Sequence, residues 1–163
     1  MDIAIINYGM NNLYSVQNAC LNLGLKPKIT DNHFEIMNAK IAILPGVGAF
    51  SQAMEVIKKK NINKTILEFI ESGKPFFGIC LGMQLLFSES EEFGITKGLN
   101  IIKGRVKKFK SNNDKLIIPH IGWNKIFTNN SEIKKTCLKY NNNEDFMYFV
   151  HSYYVIPEEK NVE

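Results

Sequence analysis

Gly78-Ile79-Cys80-Leu81-Gly82 is the most informative stretch of the chain. It has the form glycine, any residue, nucleophile, any residue, glycine, which marks a sharp turn from a strand into a helix. A residue at the tip of such a turn is held in a strained conformation. Bulk two residues to either side would collide there, so glycines belong at 78 and 82. The following helix points its free N–H groups and the positive end of its dipole at the tip, which favours thiolate over thiol. The N–H of Leu81 is then placed to stabilise an oxyanion. A bare motif of this kind fits a buried core cysteine as well as a nucleophile. Context favours the nucleophile: Phe76-Phe77-Gly78-Ile79 predicts a strand before it, and Met83 to Phe87 predicts the start of a helix after it. Of the other two cysteines, Cys20 falls on the apolar stripe of a predicted helix and Cys137 in a polar region, and neither reads as chemical.

Working toward the N-terminus, Pro45-Gly46-Val47-Gly48 closes a second apolar run, Ile41 to Leu44. A glycine-rich turn there lets backbone N–H groups face a ligand, and one of them could complete an oxyanion hole with Leu81. Alone it reads better as a plain turn; with the elbow the two make a coherent pair. Ile3 to Ile6 predicts a buried strand, and Lys28 to Thr30 another. Leu13, Val16, Cys20 and Leu23 recur at helical spacing, with Asn12 as N-cap and Gly24 as stop. Phe50, Met54 and Ile57 predict a further helix. Ile62, Ile66, Phe69 and Ile70 predict one more, ended by Gly73 and Pro75. Strands alternating with helices imply βαβ units and a mostly parallel sheet. From about Gly94 the texture changes: strands at Leu99–Ile102, Leu116–Ile118 and Met147–Val150 are separated by polar loops. No repeat or linker divides the chain, so a single domain over 1–163 is expected.

The chain has 163 residues and a net charge of +4, from 20 basic and 16 acidic residues. That balance is too mild to call for nucleic acid or an anionic membrane. Lys103, Arg105, Lys107, Lys108 and Lys110 alternate and read as a solvated strand edge, without the aromatic platform of a single-strand binder. Lys58-Lys59-Lys60 reads as a basic helix end, favourable to the dipole. No apolar run reaches the ~18 residues of a spanning helix, and the N-terminus lacks the pattern of a signal peptide. Three scattered cysteines make no disulfide framework. The cytosol is the expected location, so the N-x-S/T matches at Asn63 and Asn129 carry no meaning. Neither a metal nor a cofactor is called for.

In these blocks the chain resembles the class I, triad-type glutamine amidotransferases, and more narrowly the glutaminase subunits of imidazole glycerol phosphate synthase. The resemblance runs through Tyr8-Gly9-Met10 with Asn12-Leu13, Pro45 to Phe50, Gly78 to Phe87, Pro119-His120-Ile121-Gly122-Trp123-Asn124, and Tyr148-Phe149-Val150-His151-Ser152-Tyr153-Tyr154. It implies a three-layer αβα, flavodoxin-like fold. It implies that Cys80 attacks the side-chain amide of glutamine, forming a glutamyl thioester and releasing ammonia. By the same resemblance Val47 and Gly48 join Leu81 in the oxyanion hole. Gly46, Gln84, Ser152 and Tyr153 contact glutamine. Trp123 and Asn124 face a (β/α)8 cyclase subunit that receives the ammonia in histidine biosynthesis. For Trp123, a plain core or strand tryptophan is the alternative.

The resemblance also implies a histidine and a glutamate in an H-P-E motif. The three histidines here, His33, His120 and His151, are not followed by Pro-Glu. A domain lacking its C-terminal end, an inactive docking remnant, and a dyad using His151 or His120 are the open readings. Asn7 and Asn11 stand where relatives usually carry Asp and Gly, which leaves open an amidotransferase of a surface-sugar pathway.

Overall fold

The computed structural model describes residues 2–110, 117–127 and 145–159. They form two compact units, one from 1–108 with 154–163, the other from 109–153.

The first unit is built on a parallel sheet of four strands: β1 (Ile3–Ile6), β2 (Pro27–Thr30), β3 (Ile41–Gly46) and β4 (Phe76–Cys80), in the order β2-β1-β3-β4. β1 has a strand on either side and all four of its residues are buried. That is why it reads as a continuous apolar run rather than an alternation. Successive side chains point to opposite faces. Ile3 and Ile5 pack with Cys20, Ile43, Leu13 and Val16, so helix α1 (Leu13–Asn22) covers that face. Ala4 and Ile6, on the other face, have no exposure at all, so that face is covered too. Full burial of Ile3, Ile5 and Ile6 is worth about 1.5–3 kcal/mol each. Helices α2 (His33–Asn38), α3 (Phe50–Lys59) and α4 (Ile62–Glu71) pack on one another through α4. Of the apolar positions that predicted α3 and α4, Phe50, Met54, Ile57, Ile62, Ile66 and Phe69 are buried and Ile70 is partly exposed. Lys58 and Lys59 occupy the last turn of α3, where its dipole favours cations.

Several sequence expectations need correction. α2 was not foreseen. Its signal is Asn32 with Glu35 three residues on: the Asn32 side chain accepts a hydrogen bond from the Glu35 N–H at 3.1 Å. β3 continues through Pro45 to Gly46 rather than ending at Leu44. The helix after the elbow, α5 (Leu81–Gln84), lasts one turn, so Met83 to Phe87 is not a helix. Leu85, Leu86 and Phe87 are buried, and a short apolar run of this kind fits strand or helix equally. Phe87 begins strand β5 (Phe87–Ser90).

β5 belongs to a second sheet with β6 (Thr96–Lys97), β7 (Ile102–Lys108) and β10 (Tyr153–Pro157), while β8 (His120–Lys125) and β9 (Phe146–His151) form a sheet of their own. The second sheet has the order β10-β7-β5-β6. The strand expected at Leu99–Ile102 begins only at Ile102. The segment before it instead ties off the elbow helix: Leu99 N–H donates to Leu85 C=O and Ile101 N–H to Leu86 C=O, both at 2.9 Å. β7 has a neighbour on each side, so its basic alternation is a face and not an edge. Lys103, Arg105 and Lys108 are exposed while Gly104 and Val106 are buried.

In the second unit β8 and β9 pair antiparallel, with His120 opposite His151 and Trp123 opposite Tyr148. The strand expected at Leu116–Ile118 is corrected: Leu116 lies outside the described residues, Ile117 and Ile118 are not extended into a ladder, and pairing starts at His120. Cys137 and Asn129 also lie outside the described residues. Among the described residues no helix is long and apolar enough to cross a membrane, and no group of histidine, cysteine and acidic residues could hold a metal ion.

Candidate active site

Cys80 ends β4 and caps α5 with φ +54° and ψ −117°. A non-glycine residue adopts such backbone only under constraint, at a cost of about 1–3 kcal/mol. The constraint is visible in the two flanking glycines. A Cβ on Gly78 would stand 2.7 Å from the Met83 Cα, and a Cβ on Gly82 would run into the Leu44 carbonyl of the neighbouring strand. The first turn of α5 therefore lies directly against β3, and the turn can be neither widened nor padded. Its tip is exposed, whereas Cys20 is buried and its thiol is pushed up by that burial. The sequence distinction between the two cysteines follows from where they sit.

The register of β3 and β4 sets Gly46 opposite Cys80. The glycine-rich turn thus leaves its strand beside the nucleophile. Gly46 is buried and packed closely: a Cβ there would come within 2.7 Å of the Gly82 N and 2.6 Å of the Tyr8 hydroxyl. Val47 and Gly48 are exposed, and Gly48 has φ +90°. The Val47 N–H donates to the Met10 carbonyl at 3.2 Å. In this conformation it is occupied by the first loop. Leu81, at the first position of α5, is buried with its N–H at the helix start. Gln84 closes the same helical turn.

Three residues near this turn were given no role by the sequence. Asn11 donates from Nδ2 to the Ile6 carbonyl at 3.1 Å and to the Pro45 carbonyl at 3.2 Å, tying the first loop to the glycine-rich turn. Its departure from the usual glycine was the available signal. Glu92 accepts from the Phe50 N–H at 2.7 Å, placing a carboxylate at the positive start of α3 directly after the turn. Forty-two residues separate them, so no local pattern could show it. Tyr8 has no exposure, and its hydroxyl has no hydrogen-bond partner. Burial, and secondarily the nearness of Cys80, push its phenol well above the ordinary range.

Ser152, Tyr153, Trp123 and Asn124 belong to the second unit. The Ser152 carbonyl accepts from the Phe109 N–H at 3.0 Å. His151 Nδ1 lies 2.9 Å from the Tyr153 carbonyl. A carbonyl can only accept, so Nδ1 carries the proton there. Trp123 is 68% exposed, which sets aside a core tryptophan, but it stands in β8 as the strand alternative has it, and Asn124 is exposed beside it.

The class-I glutamine amidotransferase family model matches residues 4–163. The imidazole glycerol phosphate synthase subunit HisH of Caldanaerobacter subterraneus is 50% identical over 163 residues, covering 99% of this chain and 76% of that protein. The HisH subunit of Syntrophotalea carbinolica is 44% identical over 166 residues, covering 98% of this chain and 78% of its own length. Among solved structures, PurLQS from Thermotoga maritima superposes with a TM-score of 0.69 at 18% identity, over 98% of this chain and 70% of that one. A crystal structure of a glutamine amidotransferase gives 0.67 at 15% identity, over 90% and 70%. At those identities the two structures speak for the fold.

Proposed function

The chain belongs to the class-I glutamine amidotransferases, and within them to the HisH subunits of imidazole glycerol phosphate synthase; from that membership we propose that Cys80 hydrolyses glutamine by way of a thioester. The Cys80 thiolate adds to the side-chain carbonyl carbon of glutamine, forming the C–S bond and placing negative charge on oxygen. Collapse breaks the C–N bond, and the leaving nitrogen takes a proton from solvent water and departs as ammonia. Water then attacks the thioester, releasing glutamate and the thiolate. Dividing amide hydrolysis this way replaces one difficult step by two easier ones. The observation that carries the reading is an exposed cysteine at φ +54°, held by a glycine-packed turn.

The charge that develops on oxygen needs donors already in place. Leu81 N–H stands at the start of α5 and supplies one. Val47 and Gly48 are the other candidates, set beside Cys80 by the Gly46 register. Because Val47 N–H now serves Met10, its peptide has to turn before it can donate to the substrate. Gly46 and Gln84 line the glutamine site in this reading, with Ser152 and Tyr153 holding the amino-acid end of the substrate.

Ammonia passes to a (β/α)8 cyclase subunit in a cytoplasmic heterodimer, where it completes imidazole glycerol phosphate for histidine biosynthesis. The exposed pair Trp123 and Asn124 supports a docking face, since an exposed tryptophan held against the tilted ring of Tyr148, with ring centroids 5.5 Å apart, is a rigid apolar anchor. The test is acid quenching of the native protein with its cyclase subunit during glutamine turnover, followed by peptide mass mapping. A γ-glutamyl adduct on the Cys80 peptide supports the thioester. Turnover with an adduct on another residue, or with none under conditions that stabilise thioesters, overturns it.

A further inference from the structure

Tyr8 stands two residues beyond the end of β1, and its ring is wholly buried. Its hydroxyl is closed off from solvent and finds no hydrogen-bond partner, the one buried side-chain polar atom in that condition among the described residues. Leaving a buried hydroxyl unmatched destabilises a fold. Phenylalanine would fill the same space without that cost. The position of the hydroxyl suggests what the oxygen is for. It lies 2.6 Å from where a Cβ on Gly46 would stand, and that same point is 2.7 Å from the Gly82 N and 2.9 Å from the Leu81 Cβ. The hydroxyl is therefore walled in behind the nucleophile turn, at the one residue of β3 in register with Cys80.

We propose that the Tyr8 hydroxyl is a positioning group for the nucleophile, an O–H dipole held unpaired behind the elbow so that it stabilises the negative charge of Cys80 once the thiol ionises. The inference rests on Cys80 being the nucleophile but not on the identity of its substrate. Burial keeps the phenol protonated, so at neutral pH it is always a donor and never a competing anion. In a low-dielectric site an oriented dipole interacts with a charge more strongly than it does in water. The dipole has no neutral partner to give up, so it favours the thiolate without a compensating loss in the thiol state.

The test is alkylation of the native protein with iodoacetamide, read by mass mapping of the Cys80 peptide so that Cys20 and Cys137 do not contribute. Tyr8→Phe removes one oxygen and keeps the ring. At pH 7 the Cys80 alkylation rate in Tyr8→Phe should fall by roughly 3- to 10-fold, the size expected when a single hydrogen-bond-scale interaction with a charge is lost. At a pH high enough to ionise the thiol outright, the two rates should converge. Thermal stability should be unchanged or raised, because an unmatched polar atom has gone. Equal rates at pH 7 would overturn the proposal and leave Tyr8 as packing. A deficit that persists when the thiol is fully ionised would overturn it as well, since that pattern reports blocked access. Because alkylation needs no glutamine, either failure is separate from a failure of the amidotransferase reading.

Discussion

Gly46 and Cys80 face each other as register partners where β3 and β4 end. The pairing fixes the glycine-rich turn beside the nucleophile without any side chain having to hold it. It also brings the first turn of α5 against β3, so that Gly82 lies on the Leu44 carbonyl. Gly82→Ala should therefore be costly, because a backbone carbonyl in a parallel ladder cannot move aside as a flexible side chain would. The expected loss is at least about 2 kcal/mol, toward the upper part of the overpacking range. Urea denaturation measures it, and an unchanged midpoint would show that the elbow is looser than described.

The backbone of Cys80 implies a trade of stability for reactivity. At φ +54° and ψ −117° a side chain is strained, while glycine reaches the mirror-image region freely. Both Cys80→Ala and Cys80→Gly remove the sulfur, but only glycine relieves the strain. Cys80→Gly should be the more stable of the two by about 1 kcal/mol, against the greater entropy glycine brings to the unfolded chain. Calorimetry on the pair gives the answer. Alanine equal to or more stable than glycine would mean the turn is not strained.

Asn11 gives a third expectation. Its Nδ2 bonds the carbonyls of Ile6 and Pro45, joining the ends of β1 and β3 beside the turn. Asn11→Ala removes both, and the loss should be about 1–2 kcal/mol for two neutral hydrogen bonds. Asn11→Asp should not restore the wild-type value, because a carboxylate cannot donate to carbonyls. A fully stable aspartate variant would refute the tether.

How much of this was legible in the sequence varies by residue, and the reasons are physical. α3 and α4 were readable because each has its helical period written in apolar side chains that the fold buries; β1 was readable as an unbroken apolar run buried on both faces, and α1 from apolar spacing although only Cys20 of that stripe is fully buried. The elbow was readable because its glycines answer to a local clash. Phe87 misled because three buried apolar residues, 85 to 87, suit a helix end and a strand start alike. β10 gave no signal, since its sequence Tyr153-Tyr154-Val155-Ile156-Pro157 is apolar throughout and does not show the alternation that its burial follows. At the site, Cys80 and its flanks were legible and the supports were not. Glu92 on Phe50 and Asn11 on Pro45 join residues 42 and 34 apart, and only the folded chain brings them together.

The acid response gives a fourth test. The hydrogen bonds from Lys28 and, next, Thr30 hold the Glu35 carboxyl below its ordinary value of 4.5. A depressed carboxyl contributes stability that is present above its unfolded value and is lost as pH falls through the folded one. Unfolding midpoints followed from pH 6 to below pH 4 should drop less steeply in Glu35→Gln than in the wild type. Parallel curves would show that Glu35 plays no part in acid unfolding.

The central claim is that one sulfur carries out the hydrolysis of glutamine, and the direct measurement is glutamate release by the native protein with its cyclase subunit, wild type against Cys80→Ala. The account predicts a loss of roughly 10³-fold or more in the variant, the scale seen when a nucleophile is removed, with the complex still assembled and the fold intact. Glutamate release by Cys80→Ala within about tenfold of wild type would contradict it, since losing the nucleophile costs far more than a tenfold change, about 1.4 kcal/mol.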